Sequence, residues 1–160
     1  MESNIEPEYM RLVDLVCEKD MDFDFSNSSI EHARYIIKKF IDNTKKELNI
    51  FIPEIDKDIF LNPEIQETIK NKNCIIKVIV EKANKNIIKE LKEKLSIEIK
   101  SYSNDNLKEA PYFFVSDSKR IRISSKQNIN KAQINFNNGR IGKHLNDIFS
   151  LSWEKASHNN

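Results

Sequence analysis

Apolar residues recur along this chain at two spacings, and the spacing changes character near residue 110. Between Pro7 and Lys19, the residues Tyr9, Leu12, Val13 and Val16 fall on one helical face, with Pro7 suited to a first turn. The segment M-D-F-D-F-S-N-S (21–28) then reads as a linker that Phe23 and Phe25 pin to the core. S-S-I-E opens a stronger helix, with Ser28 and Glu31 at capping-box spacing. Ile30, Ala33, Ile37, Phe40 and Ile41 form its stripe, which predicts a helix to about Glu47. L-N-I-F-I-P is a strand stopped by Pro53. N-P-E-I-Q-E-T-I-K starts a helix with Asn62 as cap and Pro63 at its first position. C-I-I-K-V-I-V is nearly continuous and β-branched, as a strand covered on both faces must be. An amphipathic helix over 84–95 and a half-buried strand, S-I-E-I-K-S-Y, complete this part.

Beyond a polar loop (103–109), P-Y-F-F-V-S, R-I-R-I-S and K-A-Q-I-N-F are three strands with no helix between them. N-N-G precedes a last helix from about Arg140 to Ala156. Ile141, Leu145, Ile148, Phe149 and Ser152 share its inner face, and Leu151 and Trp153 widen it. The order predicts an α/β sandwich whose mixed sheet has parallel crossovers first and an antiparallel meander second, with flanking helices. Its organisation reads as an acidic helix and linker over 1–27 and one domain over 28–157.

Composition removes several classes of function. Two glycines in 160 residues leave no Gly-rich phosphate loop, and neither G-x-G-x-x-G nor G-x-x-x-x-G-K-[ST] occurs. Three histidines and two cysteines are scattered without metal-ligand spacing, so no metal or other cofactor is expected. D-M-D-F-D lacks the Gly and closing Glu of a calcium loop, and there is no G-x-S-x-G elbow. An acidic N-terminus and the lack of any apolar stretch near the ~20 residues of a membrane span point to a cytoplasmic protein. Up to Glu31 acids outnumber bases nine to two, whereas the remainder carries 24 bases against 16 acids. A basic body with an acidic leader suits an anionic ligand that the leader mimics or shields; two solvated surfaces would read the same.

The stretch A-P-Y-F-F-V-S-D-S-K-R-I-R-I-S-S-K-Q-N (110–128) has the outline of a catalytic hairpin. With the element order, it resembles one half of the phospholipase D superfamily, whose motif is H-x-K-x(4)-D followed by a stretch close to G-S-x-N. Asp117 takes the aspartate position, while the histidine position falls on Ala110 and the lysine position on Tyr112. S-S-K-Q-N occupies the place of G-S-x-N, with Asn128 one residue late. The ending F-S-L-S-W-E-K-A is similar to the closing F-x-x-x-W-x-x-A of TrmB-type transcription regulators, whose effector domain is a phospholipase D-like fold that binds sugars. Over about residues 28 to 157 the resemblance implies that fold. It also implies lost chemistry, because family members use the histidine as nucleophile and lysines to stabilise developing charge. His32, His144 and His158 do not rebuild the motif.

What remains on the hairpin is polar. Tyr112, Asp117, Ser124, Ser125, Lys126 and Asn128, with Asn135 nearby, suit a small hydroxylated ligand; alternatively Asp117-Ser118-Lys119 is only a turn. Lys119, Arg120 and Arg122, with Lys126, form a second group. In an alternating strand Arg120 and Arg122 share a face that either meets phosphates or is simply solvated. No RNP pattern or helix-turn-helix accompanies it, so the nucleic-acid case is weak. The expectation is a catalytically inactive, regulatory domain that senses a ligand or binds a partner protein, with Tyr112, Phe113 and Phe114 suggesting a homodimer surface. A divergent phosphodiesterase or nuclease, or a binder of nucleic acid or anionic lipid, is the alternative.

Overall fold

The computed structural model describes residues 5–102, 111–125 and 127–158. Ala110 and Lys126 therefore lie outside the described residues. In chain order the elements are α1 (Pro7–Glu18), β1 (Phe25–Asn27), α2 (Ile30–Asn43), β2 (Glu47–Ile52), α3 (Lys57–Phe60), α4 (Pro63–Lys70) and β3 (Ile75–Val80). They continue with α5 (Lys85–Lys94), β4 (Glu98–Ser101), β5 (Tyr112–Ser116), β6 (Arg120–Ser124), β7 (Ala132–Asn135), α6 (Gly139–Lys155) and β8 (Ser157–His158). The strands form one sheet in the order β1-β7-β6-β5-β2-β3-β4-β8. Within it, β2, β3 and β4 run parallel. β5, β6 and β7 form the antiparallel meander, and β5 lies antiparallel against β2. This is the expected α/β sandwich with a mixed sheet.

Alternation along the strands sorts the core into two layers. Leu48, Ile50, Ile52, Ile76, Val78, Val80 and Phe114 face the larger cluster, which α1 to α5 cover with residues such as Val13, Phe40, Ile65 and Leu91. Phe51, Ile79, Phe113 and Val115 face a smaller cluster closed by Leu145 and Phe149 of α6. Trp153 stacks on Phe149 with ring centres 5.7 Å apart, and the ammonium groups of Lys77 and Lys100 lie 5.4 and 4.3 Å from its ring.

Several boundaries differ from expectation for identifiable reasons. The linker contains a strand: β1 pairs antiparallel with β7, burying Phe25 while Phe23 stays exposed. Ser29, not Ser28, caps α2 by accepting from the His32 N–H at 3.2 Å. The helix stops at Asn43 because Thr44 turns to extended backbone and the next three residues donate to a remote carboxylate, described below. Ile148 is 40% exposed rather than inward. Tyr112, Phe113 and Phe114 are buried, because β5 is an interior strand with β2 on one side and β6 on the other. They cannot form a partner surface.

Gly142 is fixed by packing. A Cβ there would stand 2.2 Å from the Ser118 carbonyl oxygen, on backbone that cannot swing away. Gly142→Ala should destabilise the protein by ~1–3 kcal/mol in chemical denaturation, although alanine is the better helix former. Gly139→Ala, with nothing within 4 Å of the added methyl, should change stability by less than ~1 kcal/mol.

Candidate functional site

The predicted site residues lie at opposite ends of one hairpin. Tyr112 pairs with Ser124 across β5 and β6, and Ser116 pairs with Arg120 at the other end, next to the turn that holds Asp117. At ~3.4 Å per strand residue, Tyr112 and Asp117 stand about 17 Å apart. One small ligand cannot bridge them.

At the turn, Asp117 and Ser118 both have left-handed backbone (φ 51° and 58°), and the Lys119 N–H donates to the Ser116 carbonyl at 3.1 Å. Two consecutive positive φ values define the tight hairpin turn whose twist matches its strands, and Asp tolerates that region better than most residues. The Asp117 carboxylate accepts backbone N–H groups from Lys45, Lys46 and Glu47 at 2.8, 2.8 and 3.0 Å, and Arg120 Nη1 at 3.2 Å. Burial alone would push this carboxyl up; the three N–H donors and the Arg120 charge outweigh it and hold it below its ordinary value. Asp117 is thus a turn residue that also closes the α2–β2 connection, and its acceptor sites are occupied.

The basic face needs the larger correction. Arg120 and Arg122 do share a face, but they are 4% and 2% exposed, since that face meets the larger cluster. Arg120 Nη2 reaches Asp20 at 3.5 Å, and Lys119 Nζ reaches the same carboxylate at 3.2 Å. Neither arginine offers an open surface to phosphates. Among the described residues Arg122 has no carboxylate within ion-pair distance and its buried Nε has no acceptor; Nη2 donates to the Ile129 carbonyl at 3.0 Å, and the guanidinium lies 5.6 Å from the Phe114 ring centre. Burial lowers its pKa to about 10, with a small opposing effect from Tyr9.

Tyr112 and Ser124 sit at the carboxyl ends of the parallel strands, where α/β sheets carry their ligand crevices. The Tyr112 hydroxyl donates to Glu81 Oε2 at 3.2 Å, and burial together with Glu81 pushes the phenol up to about 12. Ser124 is buried and its Oγ has no hydrogen-bond partner among the described residues. Ser125 and Asn128 are exposed and serve their own loop: Ser125 Oγ accepts the Asn128 N–H at 3.2 Å, and Asn128 Oδ1 accepts the Asn130 N–H at 3.0 Å. Asn135, near the opposite end, donates to Asp22 and Asp24, each at 2.8 Å, and accepts the Asn137 N–H. No group of three metal-ligating side chains occurs among the described residues, and no helix among them is long and apolar enough to cross a membrane.

The same end of the sheet holds a cavity that the sequence reading missed. Arg122, Phe114, Ile52 and Phe60 line it, with Glu54 and Asp56 at the loop after β2 and Asn130 after β6. Its volume is about 20 Å³, room for about one water molecule. The signal available was the place of R-I-R-I-S in the meander. An interior strand under helices on both faces must bury both of its side-chain rows, arginines included.

Asp117→Asn should cost ~1.5–3 kcal/mol near neutral pH, since an amide cannot accept all the donors now aimed at the carboxylate. The depressed pKa gives the sign of the pH effect. The contribution is full above the unfolded-state value near 3.8 and is lost as pH falls through the lower folded value. Denaturant titrations of both proteins should therefore converge only in that acid range.

No family model matches the chain, and no curated protein matches it in sequence. Among solved structures, it is similar to Nuc from Salmonella typhimurium, described as a phospholipase D family member, with TM-score 0.65 and 12% identity over 85% of this chain and 97% of that one. NucT from Helicobacter pylori gives the same values. TrmBL2, an archaeal chromatin protein with a novel mode of DNA binding, matches with TM-score 0.60 and 14% identity over 94% of this chain. The chain spans 60% of the length of TrmBL2. The fold of this chain is thus the phospholipase D-like α/β sandwich, shared with TrmBL2.

Proposed function

We propose that this chain is a catalytically inactive phospholipase D-like domain that serves a cytoplasmic regulatory protein by sensing a ligand or binding a partner. The observation that carries the reading is Tyr112. It stands where the family motif places its lysine, and it is a buried, neutral phenol bonded to Glu81. Alanine at position 110 removes the motif's nucleophile. His32 does not replace it: its Nε2 lies 2.9 Å from Glu6 Oε2, and its ring stacks on Tyr9 with centres 4.0 Å apart. His144 lies on α6, on the opposite face of the sheet from Arg122. The likeness to TrmBL2 supports a regulatory setting, with any DNA contact to be made by cations other than Arg120 and Arg122. Lys45, Lys46 and Lys119 border an open groove of about 380 Å³ beside Asp117 and are candidates. For a homodimer or other partner, the exposed apolar side chains include Ile148 and Leu151 of α6, Leu15 of α1, Phe23 and Ile75.

The protein should not turn over bis-p-nitrophenyl phosphate or single-stranded DNA, with or without metal. Turnover abolished by His32→Ala or His144→Ala would overturn the proposal in favour of a divergent phosphodiesterase. Light scattering across the micromolar range decides between monomer and dimer. DNA affinity lost on charge reversal of Lys45, Lys46 and Lys119 and in high salt would favour a nucleic-acid binder instead.

A further inference from the structure

Cations from two separate segments converge on the groove beside the β5–β6 turn. Lys45 and Lys46 come from the α2–β2 connection and Lys119 from the end of the turn. Asp117 ties the two segments together through the N–H groups of Lys45, Lys46 and Glu47, so the backbone that carries two of these lysines is fixed at the groove. Lys45 and Lys46 are exposed, and among the described residues no carboxylate pairs with either. Lys119 does have a partner: Asp20 of the acidic leader lies 3.2 Å from its Nζ, with both groups partly exposed. A pair that open to water contributes little and exchanges readily. The leader thus already sets one anion against this wall. The rest of the lining suits a neutral polar group. Asn146 donates to the Ser118 hydroxyl and accepts from Asn49 at 2.9 Å, which fixes its amide at the α6 side. Glu47 also borders the space, with Oε1 accepting from Asn49 and Oε2 taking no donor among the described residues. The open volume is about 380 Å³, against room for about one water beside Arg122.

Resting on the ligand-sensing reading, we infer that this groove takes a small phosphate monoester with a hydroxylated body. Three ammonium groups around one small space concentrate their field on a compact dianion. A nucleic-acid backbone would instead need cations spread along a surface. The phosphate lies among Lys45, Lys46 and Lys119, and the hydroxyls meet Glu47, Ser118 and Asn146, which accept and donate as a hydroxyl requires. Asp117 takes no part in binding, since its acceptor sites are filled. Lys119 leaves Asp20 to reach the phosphate, so the acidic leader competes with the ligand for that lysine. Asn135, 1% exposed, still holds the leader through Asp22 and Asp24. This site stands at the opposite end of the hairpin from Tyr112 and Ser124, and owes nothing to the positions of the family motif.

Calorimetric titration of the full chain tests the assignment, with glycerol 3-phosphate and glucose 6-phosphate as monoesters. Glycerol, glucose, dimethyl phosphate and a duplex oligonucleotide are the controls. At least one monoester should bind about tenfold or more tightly than its neutral parent and than dimethyl phosphate, a monoanion. Lys45→Met with Lys46→Met changes exposed side chains and keeps the N–H groups that Asp117 needs. It should weaken the monoester about tenfold while leaving the denaturation midpoint unchanged. Asp20→Asn releases Lys119 and should tighten the monoester about twofold or more, a gain that a merely structural ion pair would not give. Failure of both monoesters to bind, a neutral parent or dimethyl phosphate binding as tightly, undiminished binding in the double lysine variant, or no gain in Asp20→Asn would each overturn the inference. Glucose or glycerol binding alone would do so while leaving the sensing function in place. Duplex binding tighter than either monoester, and lost in the double lysine variant, would assign the groove to nucleic acid and overturn both readings. Phosphodiester hydrolysis lost on His32→Ala or His144→Ala would instead remove the reading on which the inference rests.

Discussion

One carboxylate joins the two halves of this fold. The parallel unit β2-β3-β4 and the meander β5-β6-β7 are separate by topology, and they meet where β5 lies beside β2. Hydrogen bonds between β2 and β5 set the alignment, but Asp117 locks it. It gathers the N–H groups of three successive residues entering β2 and holds Arg120 at the start of β6. Other features follow from that bond. α2 ends where it does because the next donors are aimed at Asp117. The adjoining turn presses so closely on α6 that position 142 has no room for a side chain.

This placement changes what the family-like hairpin can mean. A motif read linearly puts Tyr112, Asp117, Ser124 and Asn128 in one neighbourhood. In three dimensions the strand carries Asp117 to the far end, where it works for the backbone. The chemistry-bearing end keeps a buried phenol, a buried serine and, two residues before that serine on β6, an arginine with no counter-ion among the described residues. The remains of the family motif and the lysine-lined groove thus stand at opposite ends of the hairpin.

Much of the fold was legible because most of the stripes obey a single period. The run I-I-K-V-I-V read correctly as a strand covered on both sides, and the meander was visible as three strands with no helix between them. What escaped depended on distant partners. Phe25–Asn27 is too short and too acidic in its surroundings to announce a strand, and it exists because β7 offers an edge. R-I-R-I-S looked amphipathic because arginine is nearly always solvated. Only its position between β5 and β7, beneath α1 and α2, makes it a buried row. Glu54, Asp56 and Phe60 came to the cavity from a loop and a one-turn helix that carried no motif.

The sandwich is unequal. Among the described residues, five helices share one face, while α6 alone covers the other, resting on the small cluster around Phe113 and Phe149. That arrangement makes α6 the element most able to part from the sheet as a unit while the larger core stays closed. The only tryptophan of the chain, Trp153, sits at that seam, held between Phe149 of its own helix and two ammonium groups from β3 and β4. Its surroundings change when α6 lifts and stay constant when the opposite layer breathes. The molecule thus carries a built-in optical probe for one of its two cores, and indole emission can time the opening of that layer without any label.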